Sequence, residues 1–162
     1  MRLTRFTDYA LRVLIYTGLQ SESWVTIREI SDAYGISKNH LMKVVSLLTR
    51  LGYLNARRGP GGGIALASEP SEVNLADVIR DVEDDLELVE CFCDGSKCVI
   101  SPACQLKLVL QQALGAYLDT LRSYTLRDLL EPKNPLCDIL KITTTSTSVP
   151  TRSEPAAASP EI

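Results

Sequence analysis

The chain has no apolar run long enough to cross a bilayer. Its first twenty residues are interrupted by Arg5, Asp8 and Arg12, so neither a membrane span nor a secretory leader is read there. A cytoplasmic protein is the expectation. Histidine is nearly absent, the single one being His40. No nucleophile is paired with a base along the chain, and no glycine-rich phosphate loop follows a strand. The run Gly61-Gly62-Gly63 instead belongs to a hairpin. These absences predict a protein that is not an enzyme. There are five cysteines, an odd count that leaves no closed disulfide set. In a reducing compartment, grouped cysteines are metal-binding or redox-active.

A net charge of −3 by itself disfavours nucleic acid, but the charge is not evenly spread. Residues 1–68 hold nine Lys/Arg and four Asp/Glu, whereas residues 69–162 hold eight and sixteen. A basic front and an acidic rear are what a chain shows when one end meets phosphate.

The basic part has the punctuation of a DNA-binding head. Phe6, Tyr9, Ala10, Val13, Leu14 and Thr17 recur at helical spacing, with Thr4 or Thr7 as the cap and Gly18 near the end. Thr26-x-x-Glu29 is a capping box opening a second helix with Ile27, Ile30 and Ala33 on one face. Gly35 makes a turn. Ser37 caps a third helix bearing Leu41, Val44, Val45, Leu48 and Leu51, closed by Gly52. Residues 28–51 thus read as a helix–turn–helix, with 38–51 as the recognition helix. Tyr53–Ala56 and Ile64–Leu66 read as short strands around an Arg57-Arg58-Gly-Pro-Gly-Gly-Gly loop, which is a wing.

Asn74 caps a further helix reaching about Val82, followed by an acidic stretch, Glu83 to Glu90. From Ala103 onward, Leu106, Val109, Leu110, Ala113, Leu114, Tyr117 and Leu121 form a long apolar stripe. A small head cannot bury all of it, so part of it reads as a seam between two copies. Thr125-x-x-Asp128 opens a last short helix that Pro132 stops. The expected class is mainly α with a small β-hairpin wing. A winged helix–turn–helix head spans 1–70, a helix, cysteine loop and dimerisation helix span 71–142, and a disordered tail spans 143–162.

Between the acidic stretch and the long helix lies Cys91-x6-Cys98-x5-Cys104. Thiolates grouped this closely are soft ligands, suited to Zn²⁺ or an iron–sulfur cluster rather than Ca²⁺ or Mg²⁺. Cys93 lies in the same loop and its spacing to Cys98 is also plausible for a ligand. Cys137 reads as a small apolar residue against the core.

Several ordered motifs coincide. The opening LTRFTDYALRVLIY, the RxGPGGGIAL wing, the LADVIRDVE helix and the cysteine loop followed by Leu106-Lys107 resemble the NsrR/IscR-type winged-helix iron–sulfur regulators, from about residue 1 to 142. The similarity is closest to their nitric-oxide-sensing branch. The IscR branch would place a histidine ligand three residues after its last cysteine, where this chain has Lys107. The resemblance implies a homodimeric transcription repressor that binds an operator on double-stranded DNA. Each subunit would carry one cluster, [4Fe-4S] favoured over [2Fe-2S], on Cys91, Cys98 and Cys104, and nitric oxide would release the DNA. It also implies Asp8, from the partner subunit, as fourth ligand; Cys93, which departs from the family pattern, is the alternative its place in the loop offers.

In the head, Ser37, Lys38, Asn39, His40 and Lys43 stand at the end of the recognition helix that faces base edges. Asn can read adenine with two hydrogen bonds, and Lys reads guanine or phosphate. Arg28 reads as a backbone contact. In the wing, Arg57 and Arg58 supply charge and planar donors, and Gly61 and Gly62 let the backbone come close to DNA. Two rivals remain: a general iron–sulfur status or redox sensor, and an electron-carrier or enzyme subunit, for which the basic head has no use.

Overall fold

The computed structural model describes residues 3–92, 95 and 97–142. Cys93 and the tail, residues 143–162, lie outside the described residues. The helices and strands run α1 (Arg5–Leu19), α2 (Ile27–Tyr34), α3 (Lys38–Arg50), β1 (Leu54–Arg57), β2 (Gly63–Leu66), α4 (Leu75–Val82), α5 (Gln105–Arg122), α6 (Leu126–Leu129) and α7 (Lys133–Leu140).

Helix α1 starts where its cap dictates. The Thr4 hydroxyl accepts from the Thr7 N–H at 3.3 Å, so Thr4 rather than Thr7 is the N-cap. Ala10, Val13 and Leu14 are fully buried. Thr17 is buried with them, its hydroxyl donating to the Val13 carbonyl at 2.8 Å, so this polar group carries no unpaired cost. The capping box of α2 is complete: Glu29 N–H donates to the Thr26 hydroxyl at 3.2 Å, and Thr26 N–H donates to the Glu29 carboxylate at 2.6 Å. Gly35 adopts φ 64° in the turn to α3, a conformation that costs a glycine nothing. Ser37 occupies the cap position of α3 but its side chain makes no capping bond.

The wing is antiparallel, pairing Leu54 with Leu66 and Arg57 with Gly63. Each strand is shifted or extended by a residue from the sequence reading. Val25 joins as a third, isolated bridge to Ile64, with N–H···O distances of 2.9 and 2.7 Å. This close pairing requires glycine. A Cβ on Gly63 would sit 2.6 Å from the Val25 carbonyl oxygen, and one on Gly62 would run into the Arg57 carbonyl.

The rear half is built onto the head. Asn74 accepts from Ala76 N–H at 3.0 Å and donates to the Arg122 carbonyl at 2.7 Å, capping α4 and pinning the far end of α5. Helix α1 packs on α3, α4 and α6. The core cluster runs without a break from Ala10 through Val78 to Leu126 and Leu140. Helix α5 begins at Gln105, past the expected Ala103, and only Leu118 on it is buried. Pro132 does not end the fold's helices. It precedes a helix absent from the sequence reading, α7, for which it is the N-cap residue. Proline is tolerated at a helix start, where its missing N–H has no partner to lose. Helix α7 buries Cys137 and Leu140 against the core. Among the described residues no helix is long and apolar enough to cross a membrane.

Candidate DNA-reading face and cysteine loop

Helix α3 has two faces. Leu41, Val44, Val45 and Leu48 point into the core, while Lys38, Asn39, His40, Met42, Lys43, Ser46 and Arg50 are exposed. Asn39, Lys43, Ser46 and Arg50 line an open groove whose floor includes Phe6, Met42 and Leu47. The first turn of α3 holds no acid and the last holds Arg50, so nothing on it repels phosphate. The His40 ring lies 6.3 Å from that of Tyr9. Arg28 is exposed on α2, with Asp32 at a loose 3.7 Å, a geometry that leaves the guanidinium available. Arg57, Arg58 and Gly61 are exposed on the wing, and Gly61 has φ 71°. Gly62 is half-buried, and the crowding by the Arg57 carbonyl makes its glycine a requirement of the hairpin itself. Ser37 lies exposed at the entry to α3.

Arg50 and Ser46 escaped the sequence reading. Their signal was there, because they continue the Asn39–Lys43 face at helical spacing. The apolar stripe of the same helix is the stronger pattern and masks it.

The three loop cysteines sit on solvent-facing turns. Cys91 is half-buried in a 3₁₀ turn, Glu90–Phe92. Cys98 is exposed. Cys104 is half-buried at the N-cap position of α5, where it makes no side-chain capping bond. Val99 and Ile100 beside them are 92% and 62% exposed. Cys137 is buried in the core, far from this role. Asp8, in the first turn of α1, is 48% exposed and ion-paired with Arg12 at 2.9 Å. No three His, Cys, Asp or Glu side chains among the described residues are grouped closely enough to hold a metal ion. The donors nevertheless fit an iron–sulfur cluster chemically. They are three accessible sulfurs on irregular backbone within fourteen residues, outside the core they would otherwise disturb.

A winged helix whose recognition helix turns cations outward is the architecture of a DNA-binding transcription regulator. The chain belongs to the Rrf2 family, described as an iron-dependent transcriptional regulator, whose model matches residues 3–132. It is 50% identical over 145 residues to the HTH-type transcriptional regulator NsrR of Bacillus subtilis (strain 168), covering 88% of this chain and 99% of that protein. It is 53% identical over 133 residues to NsrR of Bacillus licheniformis, covering 80% and 92%. Among solved structures, T. potens IscR superposes with a TM-score of 0.68 at 22% identity, covering 84% of this chain and 90% of that one. CymR, the global cysteine regulator of B. subtilis, gives 0.62 at 27%, covering 80% and 95%. The winged-helix class expected from the sequence is therefore the observed one. Membership of a family of transcription regulators also bears out the expectation that the protein is not an enzyme.

Proposed function

We propose that the protein is a cytoplasmic, homodimeric repressor that releases its operator in response to nitric oxide, with one iron–sulfur cluster per subunit setting operator affinity. The observation that carries this reading is the pairing, in one chain, of an outward-facing cationic recognition helix with three accessible thiols in a single loop. The NsrR relatives support it. Cys91, Cys98 and Cys104 would hold the cluster, [4Fe-4S] in preference to [2Fe-2S]. Asp8, contributed by the partner subunit, would be the fourth ligand. When bound, the cluster supplies iron that nitric oxide can ligate. The protein's own part is to hold the loop in one shape and to tie that shape to the head.

The exposed face of α5 supports the homodimer. Leu106, Leu108 and Val109 are each more than half exposed, together an apolar surface of the kind that marks an interface. A two-fold dimer of winged helices reads a near-palindromic site with its recognition helices about 34 Å apart. Arg28, Ser37, Lys38, Asn39, His40 and Lys43, with Arg57, Arg58, Gly61 and Gly62 of the wing, are the proposed DNA contacts.

Two outcomes are expected. In an anaerobic operator titration, the cluster-loaded protein binds tightest and nitric-oxide-treated protein approaches the cluster-free form. The separation should lie within the roughly 5–150-fold typical of coupled sites. Equal affinity in all three forms would leave the cluster without a regulatory role. Replacing Arg57 and Arg58 together with Ala should lower the slope of log affinity against log salt by about one for each phosphate no longer neutralised. An unchanged slope would remove the wing from the interface.

A further inference from the structure

Two acids near the end of α4 are tied to two separate parts of the head, Glu83 to the start of α1 and Asp81 to the wing. Glu83 is only 9% exposed. No lysine or arginine among the described residues forms an ion pair with it. Its carboxylate accepts instead from the Thr4 N–H at 3.2 and 3.3 Å, from the Thr4 hydroxyl at 3.1 Å and from the Thr7 hydroxyl. It therefore seats on the N-terminal end of α1, where unpaired N–H groups and the helix dipole favour an anion. A buried carboxylate is tolerated only while its donors stay in place, so Glu83 and the first turn of α1 must move together. Asp8 and Arg12 follow on that same turn and the next.

Asp81 makes the second link. It accepts from the Tyr53 hydroxyl at 2.6 Å. Tyr53 opens the wing, its carbonyl accepting from Ala67 N–H at 3.0 Å across the hairpin. Burial of the ring, then the Asp81 hydrogen bond and the charges of Asp81 and Asp77, push the Tyr53 phenol far above its ordinary range. It thus stays protonated, and a donor, at any physiological pH. On the other side, only seven residues separate Glu83 from Cys91. A crevice lined by Leu3, Thr4, Asp84 and Leu88 places this acidic stretch beside the start of α1.

We propose that Glu83 and Asp81 are positioning residues that convert the shape of the cysteine loop into the placement of α1, with α3 packed on it, and of the wing. This rests on the reading of the cluster as a switch. Glu83 carries the larger share because its tie is buried and made by three donors. The Asp81–Tyr53 tie is exposed and single.

The test uses full-length protein, each variant measured with and without its cluster. Operator affinity gives a loaded-to-empty ratio, and amide hydrogen exchange is read at residues 4–8 and 54–57. Glu83→Gln keeps the size, but with its carbonyl oxygen on the two hydroxyls its N–H₂ faces the Thr4 N–H, donor against donor. Its ratio is expected to fall toward one, by about 5-fold or more given typical couplings, while the visible absorbance of the cluster is kept. Exchange at residues 4–8 should no longer differ between the two forms. Tyr53→Phe keeps the ring and loses only the wing's exchange difference, so it carries the test if Glu83→Gln does not fold. Asp81→Asn retains an acceptor oxygen and should behave as wild type. If both Glu83→Gln and Tyr53→Phe keep wild-type ratios and exchange differences, the relay is wrong while the switch stands. A wild-type ratio of one would overturn the switch and the relay with it.

Discussion

Replacing Cys98 with Ala is expected to give a folded but colourless protein. Cys98 lies exposed in the loop, outside the core cluster. Its removal creates no cavity, and surface changes of this kind rarely move stability by more than about 0.5 kcal/mol. A cluster held by three thiolates, by contrast, does not survive loss of one. The visible absorbance, iron and acid-labile sulfide should therefore vanish together, while the far-ultraviolet circular dichroism is kept. Operator affinity should drop to that of cluster-free wild type. Retention of full iron and sulfide by Cys98→Ala would make the assignment wrong. Cys93→Ala is the companion measurement: it should keep most of its iron, and a loss equal to that of Cys98→Ala would make Cys93 the fourth ligand and demote Asp8. Cys137→Ala gives the opposite profile, because its sulfur is buried against the core. Colour is kept and stability falls.

The largest loss of stability is expected for Leu41→Ala. Leu41 is fully buried, yet it lies between exposed His40 and Met42 in the first turns of α3. It is the first fully buried side chain of α3 and belongs to the core cluster that α1 also lines. Truncation removes buried methyl groups and leaves a cavity, at a cost of about 3 kcal/mol within the 2–5 kcal/mol range for such changes. For a chain of this size that corresponds to a fall in Tm of roughly 6–12 °C, read by thermal melting at one protein concentration so that dimerisation is held constant. Met42→Ala, on the exposed side of the same turn, should change stability by less than about 0.5 kcal/mol. Equal shifts in the two variants would mean that the two faces of α3 are misassigned.

Where a structural feature depends on neighbours a few residues away, the sequence located most of it, although Ser37, expected to cap α3, makes no capping bond. Thr26-x-x-Glu29, Asn74 and Thr125-x-x-Asp128 each cap the helix they were expected to cap. The reason is that capping is a contest between adjacent backbone and side-chain groups. Alternation and turn residues likewise located the wing to within a residue. The glycines were recognised too, but for a different reason from the one the structure gives. Gly62 and Gly63 are needed because the hairpin's own backbone and Val25 crowd them, which no local pattern reveals. Helix α7 was missed because eight residues with two core positions are too few for periodicity to speak, and because proline is read as a stop before it is read as a start.

The three cysteines illustrate the division most clearly. Their residue type and spacing point to a soft metal or cluster, since ligand softness is a property of the atoms. Their relation to the head was not written there. Glu83 sits among four other acids between Glu83 and Glu90 and has no local mark to set it apart. Only packing of α4 on α1 brings it to Thr4 and Thr7, seventy-nine and seventy-six residues away in sequence. Likewise, which face of α5 is left bare and which cations of α3 point outward depend on what the core had already covered. By itself the sequence determined every helix but α7, the wing and the class of regulator, because each of those follows from short-range sterics and hydrogen bonding. The tertiary structure alone decided which carboxylate is buried, what it holds and which surfaces remain open, because burial is settled by contacts between segments far apart in the chain.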